Sequence, residues 1–206
     1  MAMRAGFAEV DITPPLGTAK IGWLKELKGE RVADPLFARL AVFECGGGRI
    51  GFVQLDTLSV RWTQTRDIRA RVEKAFGFPG ANVMVAATHN HAGPAVAGAG
   101  DVRRDEAYVE TMVRKIVEAF GRAIEGMAEA EVGLGSAYEF GLSHNRRVVM
   151  RNGVVKTHGK AAETPGLGLK RTADGPVPPL YVEGPIDPEV AVLWARRPGA
   201  SRWARS

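Results

Sequence analysis

Cysteine is almost missing from this chain: Cys45 is the only one in 206 residues. A single thiol excludes an internal disulfide framework and a cysteine-based zinc cluster, and it leaves packing as the expected role. No apolar run approaches the roughly 20 residues that a membrane-spanning helix needs. The first residues, MAMRAGFAEVDITPP, lack the continuous apolar segment of a secretory signal. As written, the chain is expected in the cytoplasm. There is no internal repeat, and no low-complexity tract beyond one loop rich in glycine and proline between residues 159 and 185.

What is present argues for one α/β domain over residues 1–206. Apolar residues make up 45% and charged residues 25%, the balance of a chain that buries a core and is not disordered. The net charge of +5 draws partly on Arg196, Arg197, Arg202 and Arg205. It permits a rival reading, a non-catalytic basic module that presents Trp62, Trp194 and Trp203 to an anionic partner such as RNA. Against that reading, the basic residues are spread along the chain and no stacking motif of a nucleic-acid fold occurs. No specific nucleic-acid partner is expected.

Alternation predicts strands at Gly6 to Ile12, Leu36 to Glu44 and Ile50 to Leu55, the last two joined as a hairpin by the glycines 46 to 48. Those glycines are not a phosphate loop, because no Gly-Lys-Ser/Thr follows and the next segment is a strand. Thr63 or Thr65 is expected to cap a helix that buries Ile68, Val72, Ala75 and Phe76 and stops at Gly77 and Pro79. Asn82 to Ala87 is the next strand. Strand, helix and strand in this order predict a parallel βαβ crossover within a mixed sheet, with Asp56 closing the first strand and Thr88-His89 the second. Glu106 to Glu125 is predicted as a long helix, since Val109, Met112, Val113, Ile116, Val117, Phe120 and Ile124 recur at helical spacing. Glu131 to Phe140 and Val190 to Ala195 read as strands, and Arg147 to Lys156 as a hairpin turning at Asn152-Gly153. Residues 198–206 form an aberrant or disordered tail in this reading.

Half of the four histidines sit in one tripeptide, Thr88-His89-Asn90-His91-Ala92 giving the context. Residues two apart in an extended backbone project to one side, so His89 and His91 are placed to face a common point at the carboxyl edge of parallel strands. Imidazole is a good ligand for zinc, although two nitrogens are fewer than a tight site takes. The plain alternative is that one ring caps a turn and the other is solvated. His144 and His158 lie in segments read as loops, where a histidine is more often solvated than ligating.

Beyond the pair, a series of landmarks runs along the chain: Ala8-Glu-Val-Asp-Ile-Thr-Pro14, Ile21-Gly-Trp23, Gln54-Leu-Asp56, Asn82 to Pro94, Ser143-His-Asn-Arg-Arg147 and Gly184-Pro-Ile-Asp-Pro-Glu-Val190. In this order they resemble the amino-terminal part of the catalytic domain of the neutral (non-lysosomal) ceramidase family. The resemblance implies a zinc-dependent hydrolase acting on the amide of an N-acylated sphingoid base or on a related small-molecule or lipid amide or ester. His89 matches the first zinc ligand, His91 the neighbouring histidine that faces substrate, and Arg146 in Asn145-Arg146 an arginine of the active site. Asp56 has geometry alone to recommend it, as an acceptor that orients His89 or as the cap of the next turn.

Two departures from the family pattern bear on function. Asn90 and Ala92 stand where the family usually has two hydroxyl residues. The further histidine, serine, glutamate and tyrosine that relatives supply downstream have no counterpart before Ser206, so the zinc site is expected to be incomplete and this chain alone weakly active or inactive. A split hydrolase, completed by a partner chain that docks on the strand edge near residues 190–195, is the remaining expectation.

Overall fold

The computed structural model describes residues 2–157 and 179–200. The described residues divide into two compact units, one within 2–132 and 195–200 and the other within 133–157 and 179–194.

The first unit carries strands β1 (Arg4–Asp11), β2 (Ala19–Lys20), β3 (Leu27–Lys28), β4 (Phe37–Cys45) and β5 (Gly48–Leu55), helix α1 (Trp62–Phe76), β6 (Val83–Ala87), helix α2 (Glu106–Glu125) and β7 (Ala128–Glu129). Five of the strands form one mixed sheet in the order β6-β5-β4-β1-β7. β4 runs antiparallel to both β1 and β5, while β5 and β6 are parallel, with Leu55 opposite Ala87. The βαβ crossover predicted from the sequence is therefore present, and its two strand ends lie side by side.

Alternation assigns the two faces of this sheet. Ala38, Leu40 and Val42 from β4 and Val53 and Leu55 from β5 are buried with Ile68 and Val72 of α1 and Met112, Val113, Ile116 and Phe120 of α2. Phe120 meets Phe78 edge to face, with ring centroids 5.0 Å apart. Burying a ring of this size stabilises by about 1.5–3 kcal/mol. On the other face Phe7, Phe43 and Phe52 form an edge-to-face row. Phe7 and Met84 remain exposed there. Cys45, for which packing was expected, is exposed as well, because it ends β4 at the hairpin turn.

The α2 boundaries match the periodicity, and Asp105 caps the helix by accepting the Tyr108 N–H at 2.9 Å. α1 begins earlier than expected. Its cap position is Arg61, not Thr63 or Thr65, and the Arg61 N–H donates to the Gln64 side chain at 2.7 Å. Gln64 also takes a core position that hydropathy would not give it. It is buried because its amide donates to the Val96 carbonyl at 2.8 Å, while Ala75 is exposed. Residues 92 to 105 carry no helical or strand period, yet Ala95, Val96, Ala97 and Val102 belong to the core. Their small side chains let an irregular backbone enter the core, where Val96 O accepts the Gln64 amide and Ala95 O accepts the Asp105 N–H.

The second unit holds most of β8 (Glu131–Tyr138) and β12 (Glu189–Arg196), which pair with each other, and a three-stranded sheet of β9 (Val148–Met150), β10 (Val155–Lys156) and β11 (Pro179–Val182). β9 and β10 form the predicted hairpin about Asn152-Gly153, where Gly153 has φ 77°. β11 corrects the reading of 159–185 as irregular throughout: Tyr181 and Val182 pair with Val149 and Val148. Residues 159–178 of that loop, residues 201–206 of the tail, His158 and Trp203 lie outside the described residues. Among the described residues, no helix is long and apolar enough to cross a membrane.

Candidate metal centre

The segment after β6 is fastened on both sides before it presents its histidines. On one side Thr88 N–H donates to Leu55 O at 3.0 Å and Asn90 N–H to Thr57 O at 3.2 Å, extending the parallel pairing past the strand ends. On the other, Ile21 N–H donates to Gly93 O at 3.1 Å and Ala95 N–H to Ala19 O at 2.9 Å. Asn90 folds its side chain back to accept the Ala92 N–H at 2.7 Å, a local turn that explains an amide between the two rings.

Within this frame His89 has φ 63°, the left-handed region, and is the one described non-glycine residue with positive φ. Such a conformation is sparsely populated and collects at functional sites. It brings the two rings together, with centroids 4.7 Å apart and planes at 77°. The Nδ1 of His89 lies 2.8 Å from Leu58 O, and the Nδ1 of His91 lies 3.0 Å from Gly22 O. A carbonyl oxygen only accepts, so each Nδ1 carries the proton and donates. In the neutral rings both Nε2 atoms then present lone pairs, and they face each other at 3.1 Å.

Gly22 makes this approach possible. Its φ is 131°, and a Cβ there would lie 2.8 Å from the Cα, Cβ and O of His91. The Gly-aromatic turn singled out in the sequence thus supplies both the acceptor for His91 and the space beside it. Neither contribution was readable from spacing, because both are made by backbone atoms.

The other sequence-selected residues fall elsewhere. The Asp56 carboxylate accepts the Phe37 N–H and an Arg39 N–H, each at 3.0 Å, and the Gln54 amide at 3.4 Å. Arg39 also pairs with Glu9 at 2.8 Å. Asp56 thereby ties the ends of β4 and β5, and the acceptor at His89 Nδ1 is the Leu58 carbonyl.

Asn145 and Arg146 belong to the second unit. The Asn145 amide donates to Glu183 O at 2.5 Å and its carbonyl accepts the Arg147 N–H at 2.9 Å, which closes the Asn-Arg turn against Gly184. Arg147 pairs with the Glu183 carboxylate. That hydrogen bond raises the guanidinium and holds the Glu183 carboxyl below its usual range. Arg146 and His144 are exposed.

A cavity of about 340 Å³ opens beside the histidine loop, lined by Thr13, Lys20, Leu36, Asn90, Ala92 and Pro94 among others. It is bordered by the residues that alternate with the histidines, and neither imidazole lines it. Among the described residues, no group of three His, Cys, Asp or Glu side chains gathers at one point.

A mixed sheet flanked by two helices, with a histidine pair at the carboxyl edge of its parallel strands, defines an α/β protein with a candidate metal-binding edge. Comparison with solved structures makes the class more specific. The crystal structure of neutral ceramidase from Pseudomonas aeruginosa superposes with a TM-score of 0.66 at 23% identity, covering 95% of this chain and 29% of that chain. A ceramidase complexed with C2 gives a TM-score of 0.63 at 26% identity, covering 71% and 25% of the two chains. This chain is neutral ceramidase-like in fold, and it spans less than a third of the length of those enzymes. No family model and no curated protein matches the sequence.

Proposed function

We propose that this chain is the metal-binding portion of a ceramidase-like hydrolase that cleaves the amide of an N-acylated substrate, with zinc as its cofactor. The observation that carries the reading is the pair of Nε2 atoms of His89 and His91 meeting at 3.1 Å, with both Nδ1 protons committed to backbone carbonyls. Ligating histidines are held in this way, by an acceptor on the nitrogen that does not face the metal. The donor set therefore fits zinc in kind, though two imidazoles are only part of a full coordination shell.

In this reading His89 holds the ion through Nε2. Zinc, when bound, supplies Lewis-acid polarisation of the scissile carbonyl. The chain's own contribution is to fix the two rings before substrate arrives: Leu58 O and Gly22 O set tautomer and direction, so no reorientation of either imidazole is needed during the reaction. His91 faces the same point, beside the place the resemblance gives to substrate. Arg146, exposed in the Asn-Arg turn of the second unit, is given an active-site role by the resemblance alone; a guanidinium is suited to stabilising negative charge.

The experiment is to load the full chain with zinc and follow release of fatty acid from an N-acylsphingosine by mass spectrometry. Slow cleavage that stops with a chelator and is lost in His89→Asn is the expected outcome. Release no faster than with free zinc alone refutes activity of this chain by itself, and a parent chain that also fails to bind zinc in equilibrium dialysis refutes the metal-dependent hydrolase reading.

A further inference from the structure

We propose that the cavity beside the histidine loop is a binding site for a single-chain carboxylate of medium length. The site is made of side chains that the hydrolase reading does not use, and it needs no metal at the imidazoles.

Its walls are joined before any ligand arrives. Three stretches of backbone enclose the space, residues 13–20, 29–36 and 90–94. Ile12 N–H donates to Leu36 O and Gly17 N–H to Gly29 O, each at 2.8 Å, and Ala95 N–H donates to Ala19 O at 2.9 Å. Two hydroxyls are engaged within the walls. Thr13 Oγ1 accepts the Leu36 N–H at 2.9 Å, and Thr18 Oγ1 donates to Pro15 O at 2.7 Å.

The polar side chains left for a guest are mainly donors. Lys20 and Arg31 line the cavity, and among the described residues neither forms an ion pair. Asn90 turns its carbonyl to the Ala92 N–H, which leaves the two N–H bonds of its amide to donate. Against these stands Asp34, also in the lining. Two cations and one carboxylate leave a single positive charge, which a monoanion balances. A carboxylate also suits the fork of a guanidinium.

Apolar groups make up the remaining wall, among them Leu16, Val32, Leu36 and Pro94. Leu16 and Val32 are 64% and 49% exposed, so an acyl chain laid over them would take apolar surface out of water. The cavity volume sets the length of that chain. At about 30 Å³ for a water-sized group, about 340 Å³ takes roughly eleven such groups. Octanoate, with about ten non-hydrogen atoms, fills it.

The test uses the full chain, freed of metal by dialysis against a chelator, with sodium octanoate as the probe. Calorimetry gives the affinity and nitrogen-15 backbone spectra give the place, beside octanol, octylammonium and octyl phosphate. Octanoate should bind about tenfold or more tighter than octanol or octylammonium, shifting residues of the three enclosing stretches. Lys20→Gln and Arg31→Gln should each weaken it about threefold. Asn90→Asp keeps the acceptor for the Ala92 N–H but replaces the donor with an anion, and should cost about tenfold. Lys74→Gln, in the last turn of α1, removes the same charge outside the cavity lining and should leave the affinity unchanged. Circular dichroism confirms that each variant folds.

Octanoate bound no tighter than octanol, or shifts confined to other parts of the chain, would overturn the proposal. So would an equal loss in Lys74→Gln, which would reduce the effect to overall charge. Tight octyl phosphate with octanoate unbound would overturn the carboxylate assignment.

Discussion

Replacing Gly22 by alanine isolates the backbone device that lets His91 approach His89. At φ 131° a non-glycine residue is strained, by about 1–3 kcal/mol. The new methyl would also lie 2.8 Å from His91 Cα, Cβ and O, two of them backbone atoms that cannot rotate away. Overpacking of this kind adds about 1–3 kcal/mol. Gly17→Ala is the matched control: Gly17 has φ 86° but nothing within 4 Å of the added Cβ, so it carries strain without the clash.

The expectation is a loss of about 2–6 kcal/mol for Gly22→Ala against about 1–3 for Gly17→Ala. In a chain of this size each kcal/mol lowers Tm by about 2–4 °C. Urea unfolding followed by circular dichroism gives both values. If Gly22→Ala costs no more than Gly17→Ala, the His91 backbone does not pack on Gly22 and the geometry argued for the pair is wrong.

Other substitutions test the remaining parts of the frame. Tyr108→Phe removes the hydroxyl that donates to Ile12 O at 2.5 Å, and it should cost about 1–3 kcal/mol in urea unfolding by leaving a buried carbonyl unpaired. Burial, reinforced by Asp11 and Asp105, pushes the Tyr108 phenol up, so alkaline difference spectra should show it ionising only as the protein unfolds. Asp56→Ala should destabilise by about 1–3 kcal/mol, through the Phe37 N–H and Arg39 it abandons, and leave the His89 imidazole resonances in place. A large shift at His89 would return Asp56 to the site. The Thr13 hydroxyl, and then its backbone N–H, hold the Asp11 carboxyl below its ordinary value of 3.8. A depressed carboxylate stabilises above its unfolded pKa and loses that contribution as pH falls through the folded pKa. Thr13→Ala should therefore raise the Asp11 pKa seen by carboxyl NMR, and its stability deficit should narrow as pH is lowered below about 4.

The sequence disclosed those parts of the fold that repeat. The seven apolar positions of α2, Val109 to Ile124, recur through about four turns, and the β4–β5 hairpin and β6 alternate or run apolar up to glycine signals, so their places followed from period. Two-residue strands such as β2, β3 and β7 have no period to read. Arg61 and Gln64 were missed because the start of α1 is secured by a glutamine reaching back to a backbone N–H, not by a threonine hydroxyl. Ala95 to Ala97 were missed because burial without regular structure leaves no repeating mark. At the site, the His-x-His spacing announced two rings on one side. The carbonyls of Leu58 and Gly22 that orient them belong to residues whose identities say nothing of that duty. Arg146 stands out by its motif alone; the structure adds the turn that Asn145 closes onto the Arg147 N–H.

The left-handed backbone at His89 sets the placing of an imidazole against robustness. Glycine at that position would relax the chain, and asparagine would tolerate the twist better than most side chains. Selection for thermal endurance alone would drift toward those residues and discard the imidazole. A histidine kept there against its own conformational preference is a running cost the fold bears, and variants screened only for resistance to heat should replace His89 first.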